Sequence, residues 1–238
     1  MITLDRFGHG MLALCALGAI TASPSALVGQ SGKPAPAADL APYFQPAGAG
    51  SIAPDADGFL RRWLLLEPIA KPNASNTGFT RAYVRQALTE DYAPGSFLRV
   101  PRDADIVRRP DPLRWHALDS TLFDVKLFNF AQALGKRQYG VVFWAATIVT
   151  SPRAMRDVRL AVGSNSASMW WLNGRETVGL FDDRRMVMDD VVSDRVTLRK
   201  GRNVIYGAVI NGPGLSDFCV RFIGEDGRPV RDLTVGVE

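Results

Sequence analysis

The amino-acid sequence predicts an all-β protein: an antiparallel β-sandwich or jelly roll with one short helix. Two observations predict it. From Val158 onward, short runs of β-branched and aromatic residues alternate with turn residues, and only one segment of the chain carries apolar residues at helical spacing. Taken in order, Phe59 to Leu66 is a dense apolar run ended by Glu67-Pro68 and predicts a buried first strand. Pro68, Pro72 and Gly78 punctuate the loop that follows. Phe79, Ala82, Tyr83, Gln86 and Ala87 recur every three or four residues and predict the helix, which ends before Pro94. Asp103 to Pro112 is polar and bounded by proline, whereas Leu113 to Leu118 and Gly140 to Thr150 predict strands, the second of them central. Phe123 to Ala133 is compatible with helix, strand or irregular chain. Further strands are expected at Val158 to Val162, Ser168 to Leu172, Arg195 to Leu198, Val204 to Ile210 and Phe218 to Phe222. Gly163-Ser164-Asn165, Asn173-Gly174, Lys200-Gly201, Gly212-Pro213-Gly214 and Asp226-Gly227 separate them as turns.

The N-terminal part reads differently. Arg6, the apolar run Met11 to Ala22 and the small, proline-containing segment Ser23 to Ala26 have the form of a signal peptide over residues 1–26, which predicts export to the periplasm or beyond. The run is shorter than the roughly 20 residues of a spanning helix, and no later stretch is long and uncharged enough, so no membrane span is expected. Residues 27–57 are rich in Ala, Pro and Gly and read as a linker, leaving 58–238 as the domain. Removal of the signal peptide takes Cys15 with it and leaves Cys219 alone, so no intrachain disulfide is expected and stability must come from packing. A hydrophobic content of 47% supplies the material for that core. The net charge of +4 is spread over scattered Lys and Arg without a long basic run or a recognition motif, so nucleic acid is not an expected partner.

The stretch RLAVGSNSASMWWLNG (residues 159–174), followed by KGRNVIYGAVINGPG (residues 200–214), resembles the galactose-binding-like β-sandwich domains of secreted bacterial polysaccharide-processing proteins. There a strand, a Gly/Ser/Asn turn, a strand ending in Asn-Gly and a later Lys-Gly-x-Asn turn follow one another in that order. Phe59-Leu60-Arg61-Arg62-Trp63, Trp115 to Ser120 and Arg184 to Asp190 extend the likeness to a bacterial group labelled acetylxylan esterases, over about residues 58–235. The resemblance implies a galactose-binding-like sandwich. It transfers no catalytic residue, because fold kinship does not fix activity.

An acyl esterase needs a nucleophile, a base and an oxyanion hole. His116 is the only histidine left after export, and neither a Gly-x-Ser-x-Gly elbow nor a Gly-Asp-Ser paired with a late Asp-x-x-His occurs. If the domain is an enzyme, His116, Asp119 and Ser120 are its candidates, yet three residues so close on one strand do not readily form a triad. A zinc site is not expected from one His and one Cys. Asp182, Asp183, Asp189 and Asp190 flank Arg184-Arg185, as calcium ligands or as a salt-bridge network within a loop.

A binding role has its own residues. Neighbours on a strand face opposite ways, so Trp170 goes with Leu172, and Trp171 with Met169 and Asn173. An exposed indole covers the C–H face of a sugar ring while polar groups meet its hydroxyls. Trp171, Asn173, Arg184, Arg185 and Asn211 form the expected ligand surface; in the alternative both tryptophans are buried, one in the sandwich and one beneath the Phe181 to Asp190 segment. The expectation is a non-catalytic module that binds xylan or a related plant polysaccharide beside an acetylxylan esterase or glycosidase. The rivals are that the domain is itself a carbohydrate esterase, or that it is a structural or protein-interaction domain.

Overall fold

A computed structural model describes residues 39–73 and 75–238, so the expected signal peptide and the first part of the expected linker lie outside the described residues. In chain order the elements are β1 (Phe44–Pro46), β2 (Arg62–Leu66), β3 (Ile69–Ala70), α1 (Arg81–Glu90), β4 (Ile106–Val107), β5 (Leu113–Ser120) and α2 (Leu127–Ala133). Then come β6 (Val141–Ser151), β7 (Met155–Ser164), β8 (Ser168–Leu172), β9 (Arg175–Leu180), β10 (Val191–Val192), β11 (Val196–Leu198), β12 (Gly201–Asn211), β13 (Phe218–Ile223) and β14 (Thr234–Gly236). The large sheet runs β1-β5-β2-β6-β12-β8-β9, with β3 and β14 added to β6 and β4 to β5. The second sheet is built on β7, which pairs antiparallel with β10, β11 and β13. The architecture is the antiparallel sandwich that the punctuated strands predict.

The large sheet is covered on both faces, which explains its long unbroken apolar runs. Every residue from Val141 to Val149 in β6 is buried. Val141, Phe143, Ala145 and Val149 face the second sheet, where Trp63, Trp170, Leu160, Val162, Phe218 and Phe222 complete the inner core. Val142, Trp144 and Ala146 face the other way, into an outer core closed by Val84, Ala87 and Leu88 of α1 and by Phe79, Trp115 and Trp171. Each fully buried Leu, Val or Phe contributes roughly 1.5–3 kcal/mol by leaving water, so the two layers are the main source of stability.

Two expectations are corrected. The described part of the linker, residues 39–57, is folded onto the domain: Phe44 is buried and pairs with Ser120, and Ile52 bridges Val235. A few apolar residues, Phe44 and Ile52 among them, anchor a stretch whose bulk composition is that of a tether. The second correction concerns helix number. The segment left open becomes α2, with Leu127, Phe130 and Ala131 buried at helical spacing, so there are two short helices among the described residues. The expected helix forms as α1, capped by Thr80, whose hydroxyl accepts the Tyr83 amide at 3.3 Å.

Candidate functional site

His116, Asp119 and Ser120 all lie on β5, and the strand separates them. Leu118 packs in the inner core and Ala117 against the outer one, so the even-numbered His116 and Ser120 share a face and Asp119 takes the opposite one. Four residues along a strand place His116 and Ser120 roughly 13 Å apart. Each is committed elsewhere. Asp119 takes a bidentate pair from the buried Arg62, at 2.6 and 2.7 Å. Ser120 Oγ lies 3.0 Å from the carbonyl oxygens of Leu122 and Asp124. His116 Nε2 lies 3.3 Å from Glu67 Oε1, and Lys136 Nζ lies 3.1 Å from Glu67 Oε2. Burial pushes the Glu67 carboxyl up, but hydrogen bonds from Lys136 and His116 outweigh it and hold the group below the usual carboxylate range. The arrangement braces β2, β5 and the end of α2 and brings no nucleophile to the imidazole.

The expected indole plate is also corrected. Trp170 is fully buried between the sheets, and Trp171 is only 9% exposed on the opposite face. The facing predicted by strand alternation holds, but Trp171 is stacked on Trp144 with centroids 5.6 Å apart and covered by Phe97 at 4.9 Å. Phe97, from the segment after α1, supplies the cover. The remaining predicted ligand residues do not gather around it. Asn173 sits in the left-handed β8–β9 turn, where its side chain accepts the Val204 amide at 3.0 Å and donates to Asn203 at 2.9 Å. Asn211 is buried at the other end of β12, with its amide donating to Gly214 O at 2.9 Å. Arg185 is exposed, Arg184 lines one cleft and Asn173 a different one.

The Arg184 cleft, of about 370 Å³, lies where the turns at residues 163–167 and 211–217 meet the 75–76 loop and the 181–190 loop. It is lined by Asn76, Asn165, Asp183, Arg184 and Leu215 among others. Asn76 is its brace: its amide donates to Asp183 Oδ1 at 2.9 Å and Pro213 O at 3.0 Å, and its oxygen accepts the Gly212 amide at 3.0 Å. Asn165 Oδ1 accepts the Asp217 amide at 3.2 Å, which leaves its own amide donors unspent among the described residues. Arg184 uses three N–H groups on Asp190 and Phe181 O and keeps two of the five a guanidinium carries. Leu215 is half exposed beside these groups. Near the cleft, Ser164 Oγ, Ser166 Oγ, Asn211 Oδ1, Ser216 Oγ and Asp217 Oδ1 are buried without a hydrogen-bond partner among the described residues, while Asp217 Oδ2 accepts from Lys126 Nζ at 2.9 Å. Buried polar groups are usually hydrogen-bonded, and these five lie together at one end of the sandwich. Asn76, Asn165 and Leu215 were not singled out from the sequence as binding residues. Only turn propensity marks Asn165 there, and the convergence of four distant loops leaves no local signal.

The four carboxylates offered as calcium ligands do not converge. Asp189 pairs with Arg221 at 2.5 Å, Asp190 with Arg184 at 2.5 Å, Asp183 accepts from Asn76, and Asp182 is exposed. No group of three or more metal-ligating His, Cys, Asp or Glu occurs among the described residues. The paired loop instead covers Cys219, whose sulfur lies 3.9 Å from Met186 Sδ. Burial pushes this thiol up to about 12, so it stays protonated and unreactive at neutral pH. No helix of the described residues is long and apolar enough to cross a membrane.

No protein-family model matches the chain, and no curated protein matches it. Among solved structures it is similar to a PA14 sugar-binding domain from an RTX adhesin, at 11% identity over 72% of this chain and 95% of that one, with a TM-score of 0.38.

Proposed function

We propose that the protein is a non-catalytic glycan-binding sandwich whose ligand enters the cleft between Asn165, Asp183, Arg184 and Leu215. The observation that carries this reading is the set of unspent donors and acceptors held on a braced rim beside an exposed apolar side chain. A sugar ring needs that combination: hydroxyls for the amide, carboxylate and guanidinium, and a C–H face for Leu215. The separation of His116, Asp119 and Ser120 argues against acyl transfer at those residues. The resemblance to the acetylxylan esterase group, extended by Phe59 to Trp63, Trp115 to Ser120 and Arg184 to Asp190, favours xylan or a related plant polysaccharide as ligand and an acetylxylan esterase or glycosidase as the neighbour in action. The signal-peptide-like residues 1–26 favour export as the setting.

Affinity electrophoresis on xylan tests the reading. Asp183→Ala should weaken binding roughly 10-fold by removing a charged hydrogen-bond acceptor, with an unchanged circular dichroism spectrum. His116→Ala should leave binding intact, and neither protein should release acetate from acetylated xylan. Full retardation of Asp183→Ala would place the ligand elsewhere; acetate release lost with His116→Ala would make the domain an esterase.

A further inference from the structure

The opposite end of the sandwich carries a second cleft of different chemistry. β8 runs from Ser168, paired with Leu180, to Leu172, paired with Arg175, so the Asn173-Gly174 turn lies a strand's length from the turns at 163–167. Here a cleft of about 370 Å³ is lined by Leu172, Asn173, Arg175, Thr177, Arg195, Val196, Thr197 and Arg199, with three guanidinium groups and no carboxylate. Local structure brings them together. Arg195, Thr197 and Arg199 alternate along β11 and its flanks, which puts them on one face. Across from them, Trp171 pairs with Glu176 but Trp170 with Val178, so Thr177 is the extra residue of a bulge, and it lines the cleft beside Arg175, two residues before it on β9.

Like charges gathered on one surface repel, and an acidic side chain is the ordinary remedy. That remedy is incomplete here. Arg195 pairs with Glu225 in an exposed contact, while no carboxylate among the described residues pairs with Arg175 or Arg199. Glu176, the nearest acid in sequence to Arg175, is paired with Arg85 of α1 on the other face of the sheet. A planar guanidinium matches a carboxylate bidentately, Thr177, Thr197 and Asn173 supply neutral polar groups, and Leu172 and Val196 supply an apolar surface. No aromatic side chain lines the cleft, so the stacking platform that single-stranded nucleic acid uses is missing.

We propose that this cleft binds the carboxylate of a uronic-acid-bearing polysaccharide, held by Arg175 and Arg199 with Arg195 beside them. The anion site rests on the arginine cleft, and the choice of a polysaccharide as its bearer rests on the glycan-binding reading proposed above, though not on the location of that ligand at the other end. Binding of purified protein to polygalacturonate, neutral xylan and single-stranded DNA tests it, with Arg175→Gln/Arg199→Gln and Asp183→Ala as variants. The double variant should bind polygalacturonate roughly 10-fold or more weakly, as expected for loss of two charge-assisted contacts, with an unchanged melting temperature and unchanged xylan binding. Asp183→Ala should keep polygalacturonate binding. Binding of the acidic polymer should also weaken as salt screens the exposed arginines. Equal polygalacturonate affinity of the double variant and the parent would overturn the proposal, as would DNA binding of equal strength lost through the same two substitutions.

Discussion

Gly207 lies directly across from Trp170 in the pairing of β12 with β8, and a β-carbon there would stand 2.2 Å from the indole. Both positions are in the middle of the inner core, where neither ring nor strand has room to yield. Gly207→Ala should therefore lower stability by roughly 2–3 kcal/mol in urea unfolding, as overpacked cores do. A shift within error of the parent would contradict the tight fit. The Arg62–Asp119 pair makes a complementary case. Arg62 is 2% exposed and is held by Asp119 and Gly50 O, so Asp119→Ala strands a buried cation and should cost about 3 kcal/mol, whereas removing a surface pair costs little. At this scale the sequence was a partial guide. It assigned Trp170 and Trp171 to opposite faces correctly, because alternation is a local property. It could not say that Phe97, more than seventy residues earlier, would close over Trp171.

The 181–190 loop shows how an element without regular structure is held. Arg221 and Arg184 pin Asp189 and Asp190, and the backbone of Val187 passes so close to β7 that a β-carbon at Gly163 would meet its oxygen at 2.0 Å. Gly163→Ala should lift the loop. Limited proteolysis should then cut within residues 182–190 faster than in the parent, and xylan binding should fall, because Asp183 and Arg184 travel with the loop; unchanged cleavage would show that the loop is held without this contact. Strands rich in buried β-branched and aromatic residues, such as β6, β8 and β12, were readable because burial on both faces left long apolar runs. The short strands β3, β4, β10 and β14 and the polar edge strand β9 were not, since so little of their pattern is local.

Over the whole molecule, stability should depend on pH through Glu67. Its folded-state value is held below the ordinary one, so pairing with Lys136 and His116 stabilises above the unfolded carboxylate value and is lost as pH falls through the folded one. Asp217 works the other way: burial pushes its carboxyl up despite Lys126 at 2.9 Å, so its ionised form is less stable in the fold than in the open chain. Glu67→Gln should flatten the acid side of a melting-temperature profile and Asp217→Asn should not; a parallel profile for Glu67→Gln would remove Glu67 from this role. The architecture was legible in the sequence because punctuated strands specify a sandwich, while the two clefts were not. The first arises where four loops far apart in the chain meet, and the second where the β8–β9 hairpin meets β11 and its flanks.

Cys219 is the one cysteine among the described residues, and the 181–190 loop is its lid. The sulfur can meet an alkylating reagent only when that lid swings away, so the rate of modification at this peptide counts openings one by one. A glycan seated against Asp183 would slow that clock, and occupancy of the cleft could be timed without any label on the sugar.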